Sequence, residues 1–248
     1  MLTSEQVAHF EAFGFLVLRD LFSPDEVSSI RQDYDSAWNE ASGGQPFSGE
    51  RSENRQPFCE TRTSLTDLAE DDRAYGAVEQ LLGPNLIWGG SCGARFVGDS
   101  GWHTDDFGGL LESYRMVKVV MYLEPVEEET GCLRIIPGSQ HRSFNRVLSP
   151  LGEQDSDPKR MPFGVPGRDT PGYPMETRPA DLLVFDTRAF HGAFGGGTGR
   201  SNMQLLYFPD PALEADLETL RQIYHRTECT LRVPETFLNS DRPRIRGM

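Results

Sequence analysis

Apolar residues recur at helical spacing near the start of the chain and at strand spacing from about residue 86 onward. Val7, Phe10 and Phe13 share one face of a helix predicted over residues 3–12, which Gly14 stops. Phe15-Leu16-Val17-Leu18 reads as a short apolar strand. Ser23-Pro24-Asp25-Glu26 is a strong helix start: Ser23 caps, Pro24 suits the first helical position, and Glu26 completes a capping box. That helix runs to about Ala41, with Val27, Ile30, Tyr34 and Trp38 along one face. A further helix over residues 71–82 stops at Gly83-Pro84. Residues 42–63 between them are polar and carry Arg51, Arg55 and Arg62; they are too long for a simple connection and suggest a functional loop or lid.

Beyond Leu86 the pattern turns to β. Runs at 86–97, 115–123, 132–136, 182–186 and 202–208 are short, apolar or alternating, and bounded by Gly, Pro or Asp. Several such strands call for a sandwich or barrel, and a double-sheet jelly roll closes them naturally. Residues 149–174, rich in Pro, Gly and charge, read as a long loop over one mouth, and residues 212–226 as a C-terminal helix. The expected fold is therefore mainly β with helical additions (α+β). It is expected as one domain over 1–248: a helical portion to about 84, a jelly-roll core over about 85–210, and a helix and tail over about 211–248.

Composition narrows the function. The 248 residues hold 24 Lys and Arg against 38 Asp and Glu, a formal charge of −14, which repels phosphate backbones and anionic membranes. Nucleic acid and membrane are thus not expected as partners, and a small molecule is. No stretch reaches the roughly 18 apolar residues that span a bilayer, and the first fifteen lack a basic segment followed by an apolar run. Cys59, Cys92, Cys132 and Cys229 lie far apart with no CxxC pair, as expected of reduced thiols, mostly in or near the core, in a cytoplasmic protein.

The chemistry concentrates in Gly101-Trp102-His103-Thr104-Asp105-Asp106. On an extended chain His103 and Asp105, two apart, project to one side. An imidazole and a carboxylate facing inward form two-thirds of a 2-His-1-carboxylate set, which leaves three adjacent positions open on iron(II). Two of those can chelate a 2-oxo acid and one remains for O2. For the third ligand, His9 and His225 fall on the terminal helices and His141 follows a Pro-Gly turn. His191 follows the strand of Pro179-Ala180-Asp181-Leu182-Leu183-Val184-Phe185-Asp186 and fits best. Arg200, nine residues later at a strand start, has a guanidinium that can grip a carboxylate through two parallel hydrogen bonds.

These residues resemble the phytanoyl-CoA dioxygenase family of iron(II)/2-oxoglutarate oxygenases. Gly98-Asp99-Ser100-Gly101-Trp102-His103-Thr104-Asp105 is similar to the family's iron motif. Lys118-Val119-Val120-Met121-Tyr122-Leu123, leading to Thr130-Gly131-Cys132-Leu133-Arg134-Ile135-Ile136-Pro137-Gly138-Ser139, resembles its G-x-L-x-x-x-P-G-S segment. Asp181 to Asp186 followed by His191 and Arg200 resembles its distal-ligand segment, and Phe10 to Leu18 its N-terminal portion. The likeness covers most of residues 4–208. It implies a double-stranded β-helix core, iron(II), 2-oxoglutarate and O2, with His103, Asp105 and His191 as metal ligands and Arg200 as co-substrate anchor. Two departures stand out: Gln140 intervenes between Pro-Gly-Ser and His141, and Ala193 occupies the place where some members carry a second co-substrate contact. Lys118, on a central strand, is the candidate to share that role.

The intact Asp105 separates this chain from related halogenases, in which a small residue opens a coordination position for chloride, so hydroxylation of a C–H bond of a small metabolite is expected. Arg95, with the loop arginines, suggests an anionic substrate, and Trp102, Asp106 and Phe107 beside the iron motif are candidate substrate contacts. Two other readings stay open: a cupin-like metal enzyme that does not use 2-oxoglutarate, and a jelly roll that binds a ligand without catalysis.

Overall fold

The computed structural model describes residues 1–153, 160–226 and 235–248. Helix α1 (Ser4–Phe13) begins in a capping box between Thr3 and Gln6 and ends at Gly14, whose left-handed φ of +83° lets its N–H reach the Phe10 carbonyl at 2.7 Å. Strand β1 (Phe15–Leu18) follows, then α2 (Pro24–Ala41), capped by Ser23 and Glu26 as the sequence pattern expects. The polar segment after α2 is more structured than a loop: it contributes a short strand, β2 (Glu53–Arg55). Helix α3 (Thr63–Glu70) was not signalled by the sequence pattern, and α4 (Tyr75–Leu82) starts four residues later than expected. Asp71 accounts for that delay, because its carboxylate accepts both the Arg73 backbone N–H and the Arg73 Nε–H at 2.8 Å, which holds the chain in a turn.

The strands are β3 (Ile87–Val97), β4 (Ser100–His103), β5 (Val117–Tyr122), β6 (Leu133–Ile135), β7 (Tyr173–Pro174), β8 (Leu182–Asp186), β9 (His191–Ala193) and β10 (Thr198–Phe208). A major sheet runs β1-β8-β5-β10-β3-β2 and a minor sheet runs β4-β9-β6-β7, antiparallel throughout. This is the expected jelly roll. Helix α5 (Arg142–Leu148) and short 3-10 turns fill part of the long segment before β7, and α6 (Glu214–Arg226), α7 (Glu235–Leu238) and α8 (Pro243–Gly247) close the chain.

Period-two alternation sorts the major sheet into two faces. Val117, Val119 and Met121 of β5, with Met203, Leu205 and Tyr207 of β10, point outward. There they bury against Tyr34, Trp38, Leu65, Leu68 and Val78 of the N-terminal helices and Phe237 and Ile245 of the C-terminal ones. The alternate positions face the minor sheet and enclose the cavities described below. Cys59, Cys92 and Cys132 are buried free thiols, while Cys229 lies outside the described residues. Among the described residues no helix is long and apolar enough to cross a membrane.

Where outer face meets helix, packing is tight. A Cβ on Gly93 would sit 2.6 Å from the Phe58 ring. Gly93→Ala is expected to cost about 1–3 kcal/mol through overpacking. Urea denaturation checks this, and an unchanged midpoint would show that Phe58 yields freely.

Candidate metal centre

Antiparallel pairing of β4 with β9 sets His103 directly opposite His191. Neighbours in such a pair hold their Cβ atoms about 5 Å apart, and here the two imidazole centroids stand 4.3 Å apart. Asp105 follows just past the end of β4, where its backbone N–H donates to the Thr187 carbonyl at 2.9 Å. His191 Nε2 lies 3.3 Å from Asp105 Oδ2 and His103 Nε2 lies 4.0 Å from Asp105 Oδ1. Among the described residues these three form the cluster able to hold a metal ion, with ligand atoms all within 4.8 Å of one another.

The donor chemistry fits a divalent cation. His103 Nδ1 is 2.8 Å from the Gly101 carbonyl, and His191 Nδ1 is 2.8 Å from the Ala189 carbonyl. A carbonyl only accepts, so each Nδ1 carries a proton and Nε2 is the ring atom turned to the centre. Burial, and then the neighbouring His191, hold the His103 imidazole below its ordinary pKa, which favours the neutral form that a metal ligand needs. Burial would raise the Asp105 carboxyl, but Lys118 and then His191 outweigh it and hold that group well below the ordinary range, ionised.

The centre opens on a cavity of about 440 Å³ lined by His103, Asp105, His191, Val120, Leu133 and Phe185, with Tyr122, Asn202 and Arg200 at one end. Arg200 is buried, and its two terminal nitrogens donate to the carbonyls of Gly131 and Gly98. Gly131, at φ +83°, and Gly196 leave room for the guanidinium, since a Cβ on Gly131 would stand 2.7 Å from its Nη1. The Arg200 Nε–H is buried without a partner. A cation held rigidly in a cavity with a donor unsatisfied suits a carboxylate. Beside it, burial pushes the Tyr122 phenol up to about 12, so its hydroxyl stays a neutral donor.

The other candidates divide. Lys118 faces inward and pairs with Asp105. It sits opposite Leu206, six positions along β10 from Arg200 and so about 20 Å away along the strand at the usual rise. That corrects the expectation that Lys118 shares the anchoring role of Arg200. Arg95 lies on the outer face, where it pairs with Asp35 at 2.8 Å and stacks 4.7 Å from the Trp38 ring centroid. Arg55 and Arg62 pair with Glu53 and Glu40, each at 2.6 Å. Arg51 is exposed and lines neither cavity. The basic patch expected at the substrate is therefore not there. Trp102 is wholly buried behind the minor sheet, its Nε1–H donating to the Gly167 carbonyl at 2.8 Å, so it is a core residue and lines neither cavity. Asp106 closes a local turn by accepting from the Gly108 N–H at 3.0 Å. Phe107 lines a second cavity. His9 and His141 each turn a ring nitrogen to a backbone carbonyl, of Phe15 and Ala12 respectively, away from the centre.

Sequence reading passed over Tyr122, Asn202, Gln204, Asn54 and Gln56, all of which line the main cavity. The alternation of Arg200, Asn202 and Gln204 on one strand was a signal for Asn202 and Gln204. Nothing comparable marked Asn54 and Gln56.

A family model described as phytanoyl-CoA dioxygenase (PhyH) matches residues 10–202. The chain belongs to the phytanoyl-CoA dioxygenase family. That makes it an iron(II)- and 2-oxoglutarate-dependent oxygenase. It is similar to an ectoine dioxygenase of Stutzerimonas stutzeri (strain A1501), 26% identical over 236 residues that cover 83% of this chain and 76% of that protein. Its fold is similar to that of HygX from Streptomyces hygroscopicus with nickel and 2-oxoglutarate bound: TM-score 0.65, 23% identity, 84% of this chain and 88% of that one. EctD from S. alaskensis in its apoform matches at TM-score 0.61 and 22% identity, covering 84% and 77%.

The Lys118–Asp105 pair is only partly solvated, with side-chain exposures of 12% and 30%. In metal-free protein, Asp105→Ala and Lys118→Met are each expected to cost about 1–3 kcal/mol, because each strands a charge in the wall. The double variant should cost less than the sum. Additive denaturation energies would show that the two groups do not depend on each other.

Proposed function

We propose that His103, Asp105 and His191 hold iron(II) as a facial triad, that Arg200 grips the far carboxylate of 2-oxoglutarate, and that the enzyme hydroxylates a C–H bond of a small polar metabolite. The observation that supports this most is the convergence of two proton-fixed imidazoles and an ionised carboxylate beside a cavity that ends in a rigid arginine. When bound, iron(II) with 2-oxoglutarate supplies the oxidising chemistry, consuming O2 and releasing succinate and CO2.

The side chains have distinct tasks. Gly101 and Ala189 carbonyls hold both imidazoles in one tautomer, so both Nε2 atoms face the centre. Asp105 brings a negative charge and occupies the position that a halogenase leaves open. Phe185, whose ring lies 4.9 Å from His191, combines with Val120 and Leu133 to make that stretch of wall apolar and exclude water. Arg200 sets the length of co-substrate that fits between the centre and its cradle, with the Tyr122 hydroxyl and Asn202 carboxamide beside it. The named relatives support a small polar substrate: the curated ones are ectoine dioxygenases, and HygX has been seen with hygromycin B bound.

Anaerobic addition of iron(II) and 2-oxoglutarate should produce a weak visible charge-transfer band, absent in His191→Ala. No band in the wild-type protein would refute the metal and co-substrate assignment. Arg200→Gln should keep metal binding but raise the KM for 2-oxoglutarate roughly tenfold or more, as expected for losing a charge-assisted carboxylate contact. Asp105→Ala should abolish succinate release.

A further inference from the structure

A second cavity, of about 380 Å³, adjoins the first. Three strands agree on its place. On β10, Arg200 and Asn202 line only the first cavity, Leu206 only the second, and Gln204 both. On β5, Tyr122 and Val120 line only the first and Lys118 both; Met116, just before β5, lines only the second. On β3, Phe96 and Cys92 belong to the first and Gly89, Gly90 and Ser91 to the second. The two chambers therefore follow one another along the barrel, with Asp105, Lys118, Gln56 and Gln204 at their junction. Asp105 brings the metal centre to that junction, with His103 and His191 on the side of the first chamber, and the second chamber lies on the side away from the Arg200 cradle.

We infer that this second chamber takes the primary substrate, that the substrate is compact and carries one carboxylate, and that Lys118 Nζ receives it, with the Gln56 and Gln204 carboxamides meeting its neutral polar groups. The inference rests on the iron and 2-oxoglutarate assignment above. Charge carries it. In the loaded site the divalent ion and the dianionic co-substrate cancel, and Asp105 balances one of the two cations, Lys118 and Arg200. One positive charge remains, and Arg200 is spent at the far end. Asp99 also lines the first cavity, but Arg168 pairs with it at 3.1 Å. Glu60 lies behind the major sheet, satisfied by the Trp88 Nε1–H at 2.8 Å, the Phe58 N–H at 3.0 Å and the Ser91 hydroxyl. Around the second chamber, Lys118 is the one cation among the lining residues and Asp105 the one anion.

A metal ion on Asp105 draws off part of the negative charge that Lys118 faces, and an ammonium in a partly desolvated wall then favours an incoming anion. The remainder of the wall, Thr104, Phe107, Met116 and Leu206 over a floor of Gly89 and Gly90, suits a compact body with mixed polar and apolar surface. A carboxylate held at the junction places the adjoining carbons beside the metal, which is where oxidation occurs.

The test uses full-length protein loaded with Mn(II) and saturating 2-oxoglutarate, and reads paramagnetic relaxation of small probes by NMR. The probes are propionate and N-acetylglycine, each against its amide. Wild type should relax the acids over the amides by roughly fivefold, the scale of one partly solvated charge contact. Lys118→Met should erase the preference and Lys118→Arg restore most of it. Gln204→Glu, which leaves Lys118 and Asp105 in place, should reverse it. Equal relaxation of acids and amides by wild type, or a preference untouched by Lys118→Met and Gln204→Glu, overturns the carboxylate assignment. The iron(II)–2-oxoglutarate band on the same preparations separates the two readings: band present without acid preference sinks only this one, and band absent sinks the parent assignment.

Discussion

One antiparallel bridge governs the rest of the site. Pairing His103 with His191 across β4 and β9 joins residues 88 positions apart in the chain and brings their rings within contact. A one-residue slip would turn one imidazole to the outside of the barrel and leave Asp105 with half a ligand set. Register is held from both flanks. β6 pairs with β9 on its other side through Ile135 and His191, and the buried Trp102, Phe190 and Phe194 pack behind the minor sheet. Close packing thus protects a geometry whose own polar contacts are few.

The turn leading into β9 does comparable work. Thr187 accepts from the Asp105 N–H and donates its own N–H to the Met116 carbonyl, while Ala189 accepts from His191 Nδ1–H. A single turn therefore fixes two of the three proposed ligands. Its base is the buried Asp186 carboxylate, which Arg188 meets through Nε at 2.9 Å and Nη2 at 2.6 Å, and which Arg115 approaches at 3.3 Å. Arg115 also reaches Glu11 on α1 at 2.7 and 3.0 Å. The ion pairs thus tie the N-terminal helix to the segment that carries the distal histidine, so the helical portion shapes the centre as well as covering the sheet.

Local rules were strong enough in the sequence to reveal the helix starts at Thr3 and Ser23, the long central strands, and the grouping of His103, Asp105, His191 and Arg200. The helix starts and the His103–Asp105 pair depend on residue types at a short fixed spacing, whereas His191 and Arg200 are legible through the strands they follow or begin and through the family resemblance. What escaped depends on distant partners. β2 is a strand only because β3 offers it an edge, and its Glu53-Asn54-Arg55 sequence has no strand pattern of its own. Arg95 looked like a substrate residue by its charge, which with the loop arginines would suit an anion, yet on an eleven-residue strand charge does not decide which face a side chain takes. Asp35 and Trp38, sixty and fifty-seven positions away, decided that one. Trp102 misled for a related reason: the position next to the inward-facing His103 on an extended strand faces outward, and the indole went to the core behind the minor sheet.

The placement of polarity in the barrel follows from the same alternation. Seen along β10, the inward row reads Arg200, Asn202, Gln204 and Leu206, while the outward row reads Met203, Leu205 and Tyr207. Burying the outward row against two groups of helices supplies the apolar core, which frees the inward row to remain polar and partly hydrated. A jelly roll packed from within would have no space for a metal and two small molecules. Here the helices carry a large part of the core outside the barrel, an apolar cluster that includes Val120, Ile135, Leu183 and Phe185 fills part of the interior, and the remaining space is a row of places: a rigid cation at one end, the proposed metal ligands at the middle, and a glycine-floored chamber beyond. If that chamber takes the substrate, as we infer, the choice of small molecule lies with Gln56, Lys118 and Gln204 at the junction and not with the fold, and related chains can exchange those three while keeping Asp105 and the metal centre.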